Sequence, residues 1–227
     1  MDLSSCISEL VMLYEKDVKI KEGPVEDDKI ALLPDELKEF YSVYQSMKLP
    51  FGEVYPIGEC IESSKIGPLK EEGWFCFGQD SYSTVWLCKA TPDKDGLSFA
   101  TWDMDWEDDE DDEDDEEGES EEKGIAEAAF DNMGDFLKFL SDEYMESELA
   151  VQCSVFVSGY SREAMKEVLE VKKAFHSPIS MLELKEKASK GSCMVKEQFH
   201  YYQAKRILRE LNLQSVKVTL KKKRSWF

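Results

Sequence analysis

Trp74-Phe75-Cys76-Phe77-Gly78-Gln79-Asp80 and Val85-Trp86-Leu87-Cys88, joined by Ser81-Tyr82-Ser83-Thr84, decide the fold class of this chain. Two short runs rich in aromatic and β-branched residues, separated by a small polar turn, predict a pair of strands. Further extended runs flank them at Gly52 to Ile57 and Leu97 to Trp106, punctuated by Gly-Gln-Asp-Ser and Pro-Asp-Lys-Asp-Gly turns. Strands that follow one another without intervening helices predict an antiparallel meander. Helices are expected around it. One lies near Ser5 to Lys16, with Ile7, Leu10, Val11, Leu13 and Tyr14 as its apolar positions. Another starts at Leu33-Pro34-Asp35-Glu36, where proline and two acids suit a helix N-terminus, and carries Leu37, Phe40, Tyr41 and Tyr44. A closing amphipathic helix runs from Ile125 to Met145, with Ala126, Ala129, Phe130, Met133, Phe136, Leu137 and Leu140 at spacings of three and four. Residues 1–148 therefore read as an α+β domain, a meander sheet packed with helices.

The remainder, residues 149–227, reads as a second, smaller domain. A strand over Leu149 to Val157 alternates β-branched and polar residues. Ser161 is placed to cap a helix carrying Met165, Val168 and Leu169, and a further helix runs from Ser180 to Lys190. A short segment Cys193-Met194-Val195, a helix from Glu197 to Leu211 and a last strand, Ser215 to Leu220, complete the order β-α-α-β-α-β before the basic tail Lys221-Lys222-Lys223-Arg224-Ser225-Trp226-Phe227.

Charge is segregated along the chain. The 227 residues carry a formal −21, and Glu107 to Glu122 alone holds 14 carboxylates in 16 positions. Mutual repulsion and the lack of any apolar residue exclude a packed core there, so the run is a solvated insert. It serves either as a solubilising segment or as a polyanion that attracts a basic partner. From Val151 onward 16 Lys and Arg stand against seven Glu, a net of +9, which leaves −30 on residues 1–150. A net charge of −21 repels nucleic acid and anionic lipid, and the four cations of the basic tail support only weak, salt-sensitive contact with RNA or an anionic surface, so neither is expected as a partner. The hydrophobic share of 42% excludes a chain disordered throughout.

Signals for chemistry are sparse. His176 and His200 belong to no metal or protease pattern, and neither Gly-x-Ser-x-Gly nor a phosphate-cradling glycine loop occurs. The acidic run Asp108 to Asp115 lacks the sixth-position glycine of an EF-hand. Cys6, Cys60, Cys76, Cys88, Cys153 and Cys193 form no Cys-x-x-Cys knuckle and are expected as reduced, half-buried thiols. No run reaches the roughly 20 apolar residues of a membrane span, and the first residues have neither basic leader nor apolar core, so a cytoplasmic protein is expected. No catalytic residue, cofactor or metal is expected.

Residues 30–142 resemble the SUKH superfamily, the family of the yeast cell-wall glucan synthesis regulator and of many bacterial toxin-immunity proteins. The resemblance rests on the opening helix Leu33 to Tyr41, the strand pair already quoted and the closing helix around Phe136-Leu137-Lys138-Phe139-Leu140. The family's Asn-Gly-Gly after the opening helix is replaced by Lys48-Leu49-Pro50-Phe51-Gly52. Residues 149–221 resemble the C-terminal domain of the bacterial ribosomal stalk protein. Met181-Leu182-Glu183-Leu184-Lys185 and, fourteen residues on, Val195-Lys196-Glu197 carry that likeness, with Ala204, Leu208, Leu211 and Val216 to Leu220. The family's Thr-Gly-Leu-Gly loop reads Ser177-Pro178-Ile179-Ser180 here, and Lys172 or Lys173 falls at its factor-contacting arginine position.

The resemblances imply a non-enzymatic protein-binding module, a bacterial immunity or regulatory protein that neutralises a partner such as a basic toxin domain. The alternative is a ribosome- or translation-factor-associated regulator acting through residues 149–227. Trp102 and Trp106 share a strand face at spacing four beside Asp103 and Asp105, and with Asp108 and Asp109 they form the expected contact zone. Lys172 and Lys173 are its counterparts in the second domain.

Overall fold

The computed structural model describes residues 2–23, 25–104, 125–147, 149–158, 164–189 and 191–223, which form two compact units, Met1–Ser141 and Asp142–Phe227. The first is a six-stranded antiparallel meander in the order β1-β2-β3-β4-β5-β6, with β1 at Lys19–Glu22, β2 at Tyr44–Leu49, β3 at Gly52–Val54, β4 at Trp74–Asp80, β5 at Thr84–Lys89 and β6 at Phe99–Asp103. The α+β class and the strand pair β4 and β5 are as the aromatic runs predict.

Helix α1 (Leu3–Tyr14) is capped by Asp2, whose carboxylate accepts the Ser5 N–H at 2.9 Å, and it buries Leu3, Cys6, Ile7, Leu10, Leu13 and Tyr14. The Tyr14 hydroxyl lies 2.7 Å from Ser141 Oγ, tying α1 to α6 (Met133–Glu146). Inside the unit, Trp86 packs against Phe51, Phe77 and Phe136 at ring distances of 6.2, 6.3 and 6.2 Å, and Phe99 stacks on Phe136 at 5.8 Å. Aromatic pairs of this kind add to the burial of their area. The strand backbone yields to the indole. Gly78 is paired opposite Trp86, and a Cβ there would stand 2.4 Å from Glu53 O and 2.6 Å from the Trp86 ring.

Several expectations need correction. Lys19–Glu22 is a strand that its polar alternation conceals, and Tyr44, expected on the second helix, opens β2, because α3 (Asp35–Val43) stops one residue earlier. The chain does not run strand to strand from β3 to β4. After the short α2 (Asp27–Ile30) and α3 come α4 (Ile57–Ser63) and α5 (Gly67–Glu71), which lie between those strands. β3 is only three residues long, so β4 extends beyond it, and there Ser64 at the end of α4 takes over, its hydroxyl accepting the Cys76 N–H at 2.9 Å. That covers backbone which would otherwise be an open edge. The closing helix begins at Met133 and not at Ile125. Ala129 and Phe130 instead bond Phe99 across the sheet edge, and Asn132 caps the helix by accepting the Asp135 N–H at 2.8 Å.

In the second unit the sheet order is β8-β7-β9, all antiparallel, with β7 at Gln152–Ser158, β8 at Ser192–His200 and β9 at Lys217–Lys222. Helices α7 (Met165–Ala174), α8 (Met181–Ser189) and α9 (Tyr201–Leu211) give the expected β-α-α-β-α-β order. Cys153, Val155 and Val157 of β7 face a core shared with Val168, Val171, Phe175, Leu184, Cys193, Val195 and Ala204. Glu197 to His200 continue β8, so α9 starts later than predicted, at Tyr201. The α6 residues of this unit hold α9 through the Asp142–Arg206 ion pair at 2.7 Å and the Tyr144–Tyr202 ring contact at 6.3 Å. The expected cap Ser161 lies outside the described residues.

Candidate functional site

The end of the first sheet where β4 turns into β5 gathers exposed apolar groups in an acidic setting. Asp80 builds the turn, its Oδ1 accepting the N–H groups of Tyr82 at 2.7 Å and Thr84 at 3.1 Å, the arrangement by which an aspartate closes a tight turn. The turn thereby lifts Tyr82 into solvent, 66% exposed. Thr84 is paired with Asp103 and Val85 with Trp102, and the Met104 N–H reaches Ser83 O at 3.5 Å. Met104, 41% exposed, is thus brought to the same turn as Tyr82.

Alternation along β6 then sorts the expected residues. Trp102, half-buried, stands in a row with Val85, Gln79, Glu53 and Lys48, all directly opposed across the sheet, and Lys48 pairs with Glu53 at 2.8 Å. Asp103, also half-buried, faces the other side of the strand with Thr84. Trp102 and Asp103 therefore frame the strand end from its two faces and do not share one surface. Asp105, Trp106, Asp108 and Asp109 lie outside the described residues. Tyr82 was missed by sequence reasoning because nothing in Ser-Tyr-Ser-Thr marks the tyrosine as outward. The Asp80 two residues before it was the available signal.

The second unit carries Lys172 and Lys173. Lys172 is half-buried and donates from Nζ to Ser177 O at 3.0 Å, closing the turn after α7, while Lys173 is exposed. A groove of about 600 Å³ between α8 and β8 is lined by Ile179, Met194 and Val195 among others, with the Glu183–Lys187 ion pair at 2.6 Å on its wall.

The six cysteines and Tyr41 are buried. Burial pushes the thiols of Cys6, Cys76 and Cys153 up to about 11 and that of Cys60 to about 12, and it raises Cys88 and Cys193 as well, so none supplies a thiolate near neutral pH. Tyr41, whose hydroxyl donates to Tyr55 O at 2.7 Å beside Cys60, is held neutral by the same burial. His200 Nδ1 is bound to the Met145 carbonyl. Among the described residues no three His, Cys, Asp or Glu side chains gather into a metal-binding group. Nor is any helix among them long and apolar enough to cross a membrane.

Comparison with protein-family models, with curated proteins and with solved structures finds no match to this chain.

Proposed function

We propose that this protein is a non-enzymatic binding module that captures a basic protein through the acidic end of its first sheet, in the manner of an immunity or regulatory protein of SUKH type. The observation that carries the reading is the exposed pair Tyr82 and Met104 beside half-buried Trp102, on a strand that runs in sequence straight into 14 carboxylates. Aromatic and thioether groups supply desolvated contact area, and carboxylates around them steer a cationic partner and set orientation. A basic nuclease-like or deaminase-like toxin domain has that chemistry. The carboxylate run would raise the association rate, and the apolar pair would slow dissociation.

The test is affinity capture from native lysate at low and high salt, comparing wild type, Tyr82→Ser/Met104→Ser and a chain lacking residues 107–122. One basic protein held by wild type, lost in the deletion or in high salt and weakened in the double variant, is the expected result. Retention of the same protein by all three, regardless of salt, would refute the proposal. Capture of translation factors that persists without residues 1–141 would favour the alternative, action through α7 and its exposed Lys173.

A further inference from the structure

Among the described residues of the second unit, α7, α8 and α9 pack on one face of its sheet. β7 sends Cys153, Val155 and Val157 into the helix-lined core. Its other residues, Ser154, Phe156 and Ser158, point the opposite way, and strand pairing sets Lys221, Thr219 and Lys217 of β9 directly beside them, with Met194 of β8 opposite Phe156. Every charged side chain in that set is a lysine. Lys217 and Lys221 are exposed, and among the described residues neither has a carboxylate partner. Met194 is 43% exposed, so the centre of the face is apolar and its border is cationic and hydroxylic.

We propose that this face docks an extended acidic segment of a partner protein, with carboxylates on Lys217 and Lys221, the latter held by the Phe156 ring, and one apolar side chain on Met194. Spacing supports the choice. Lys217 and Lys221 are four residues apart on one strand, about 13 Å, which is the separation of every second acid in an extended chain whose acids alternate with other residues. The Ser154 and Ser158 hydroxyls donate within the sheet, to Glu197 O at 2.7 Å and Lys217 O at 3.4 Å, which leaves Thr219, between the two lysines, to offer a hydroxyl to the same carboxylates.

A nucleic acid is the other polyanion to weigh, and one observation disfavours it. Base recognition on a sheet uses an open aromatic face, whereas the Lys221 ammonium stands 4.5 Å over the Phe156 ring, where a base would stack. The ammonium held on the ring is instead presented outward to an anion.

Fluorescence anisotropy with the full chain tests this, using a fluorescein-labelled peptide that alternates glutamate and serine around one tryptophan, and oligothymidylate of equal charge as the second probe. The acidic peptide is expected to bind with a salt-sensitive Kd. Lys217→Glu/Lys221→Glu should weaken it by roughly tenfold or more, and Phe156→Thr should weaken it while circular dichroism and the thermal transition stay those of wild type. Absence of peptide binding by wild type, or equal binding by the charge-reversed variant, overturns the proposal. Tighter binding of oligothymidylate, lost in the same variant, would replace it with a nucleic-acid face.

Discussion

Replacing Gly78 by alanine should unfold the first unit at distinctly lower temperature, although the change adds a single methyl group. Gly78 lies on β4 opposite Trp86, and its new Cβ would stand 2.4 Å from Glu53 O and 2.6 Å from Trp86 Cε3. Neither neighbour can yield cheaply. Glu53 O belongs to the backbone of β3, paired with β4 on one side and β2 on the other, and Trp86 is fully buried between Phe51, Phe77 and Phe136. Overpacking of a core by a methyl group costs about 1–3 kcal/mol, and here the upper half of that range applies because backbone must move. For a chain of this size that corresponds to a fall in Tm of roughly 4–10 °C in the transition of the first unit. Gly58→Ala is the internal control. Gly58 is in the first turn of α4 with nothing within 4 Å of its Cβ position, so alanine there should be neutral or raise stability by about 0.5 kcal/mol through helix propensity. Differential scanning calorimetry of both variants decides the matter. If Gly78→Ala melts within about 1 °C of wild type, or if Gly58→Ala falls as far, then close approach of Trp86 to the strand is not what the glycine is for.

Three other outcomes follow from named contacts. Glu167 accepts the N–H groups of Gln214, Ser215 and Val216 at 3.1, 2.8 and 2.9 Å, and these bonds hold its carboxyl below the ordinary range. A depressed folded-state value means the stabilisation is complete above the unfolded pKa and is lost as pH falls through the folded one, so acid should open the loop before β9. In Glu167→Gln, hydrogen exchange at residues 214–216 should be faster at neutral pH and change less between neutral and acid conditions than in wild type. Asp80→Ala removes the acceptor for two turn amides and should cost about 1 kcal/mol by denaturant titration, whereas Tyr82→Ser should cost almost nothing because the ring is in solvent. All six thiols are buried, so iodoacetamide at neutral pH should leave the native protein unlabelled by mass spectrometry and alkylate all six cysteines in denaturant.

Where side chains speak for the backbone, the sequence was legible. Trp74 to Asp80 and Val85 to Cys88 are buried on both faces or nearly so, and apolar aromatic runs of that kind leave little choice but a central strand. The start of α3 was visible in Pro34, Asp35 and Glu36, but its end was not, since Val43 and Tyr44 carry no breaker and the switch into β2 is imposed by pairing with β1 and β3. β1, Lys-Ile-Lys-Glu, is an edge strand whose lysines are typical of such edges and carry no apolar signal. Phe130 has helical spacing with Met133 and Leu137 yet bonds Phe99 instead, a choice made by a residue 31 positions away. The candidate site was half legible: Trp102 was marked by its composition, whereas Tyr82 and Met104 come together only through the pairing of β5 with β6. On the second sheet the cationic face was hidden, because Lys217 and Lys221 look like an ordinary alternating strand until Phe156 is set between them.

The two sheets also differ in when they can be finished. In the first, each strand pairs with the one made just before it, so hairpins close in sequence as the chain emerges. In the second, β7 is made first yet lies in the middle, between β8 and β9. Its Val155 must wait for Leu220, 65 residues later, before both flanks are paired. Throughout that interval of synthesis β7 offers a ready template to any stray strand, and a chain interrupted before β9 keeps it permanently. Synthesis of β9 therefore decides whether the second unit becomes a folded body or a seed for aggregation.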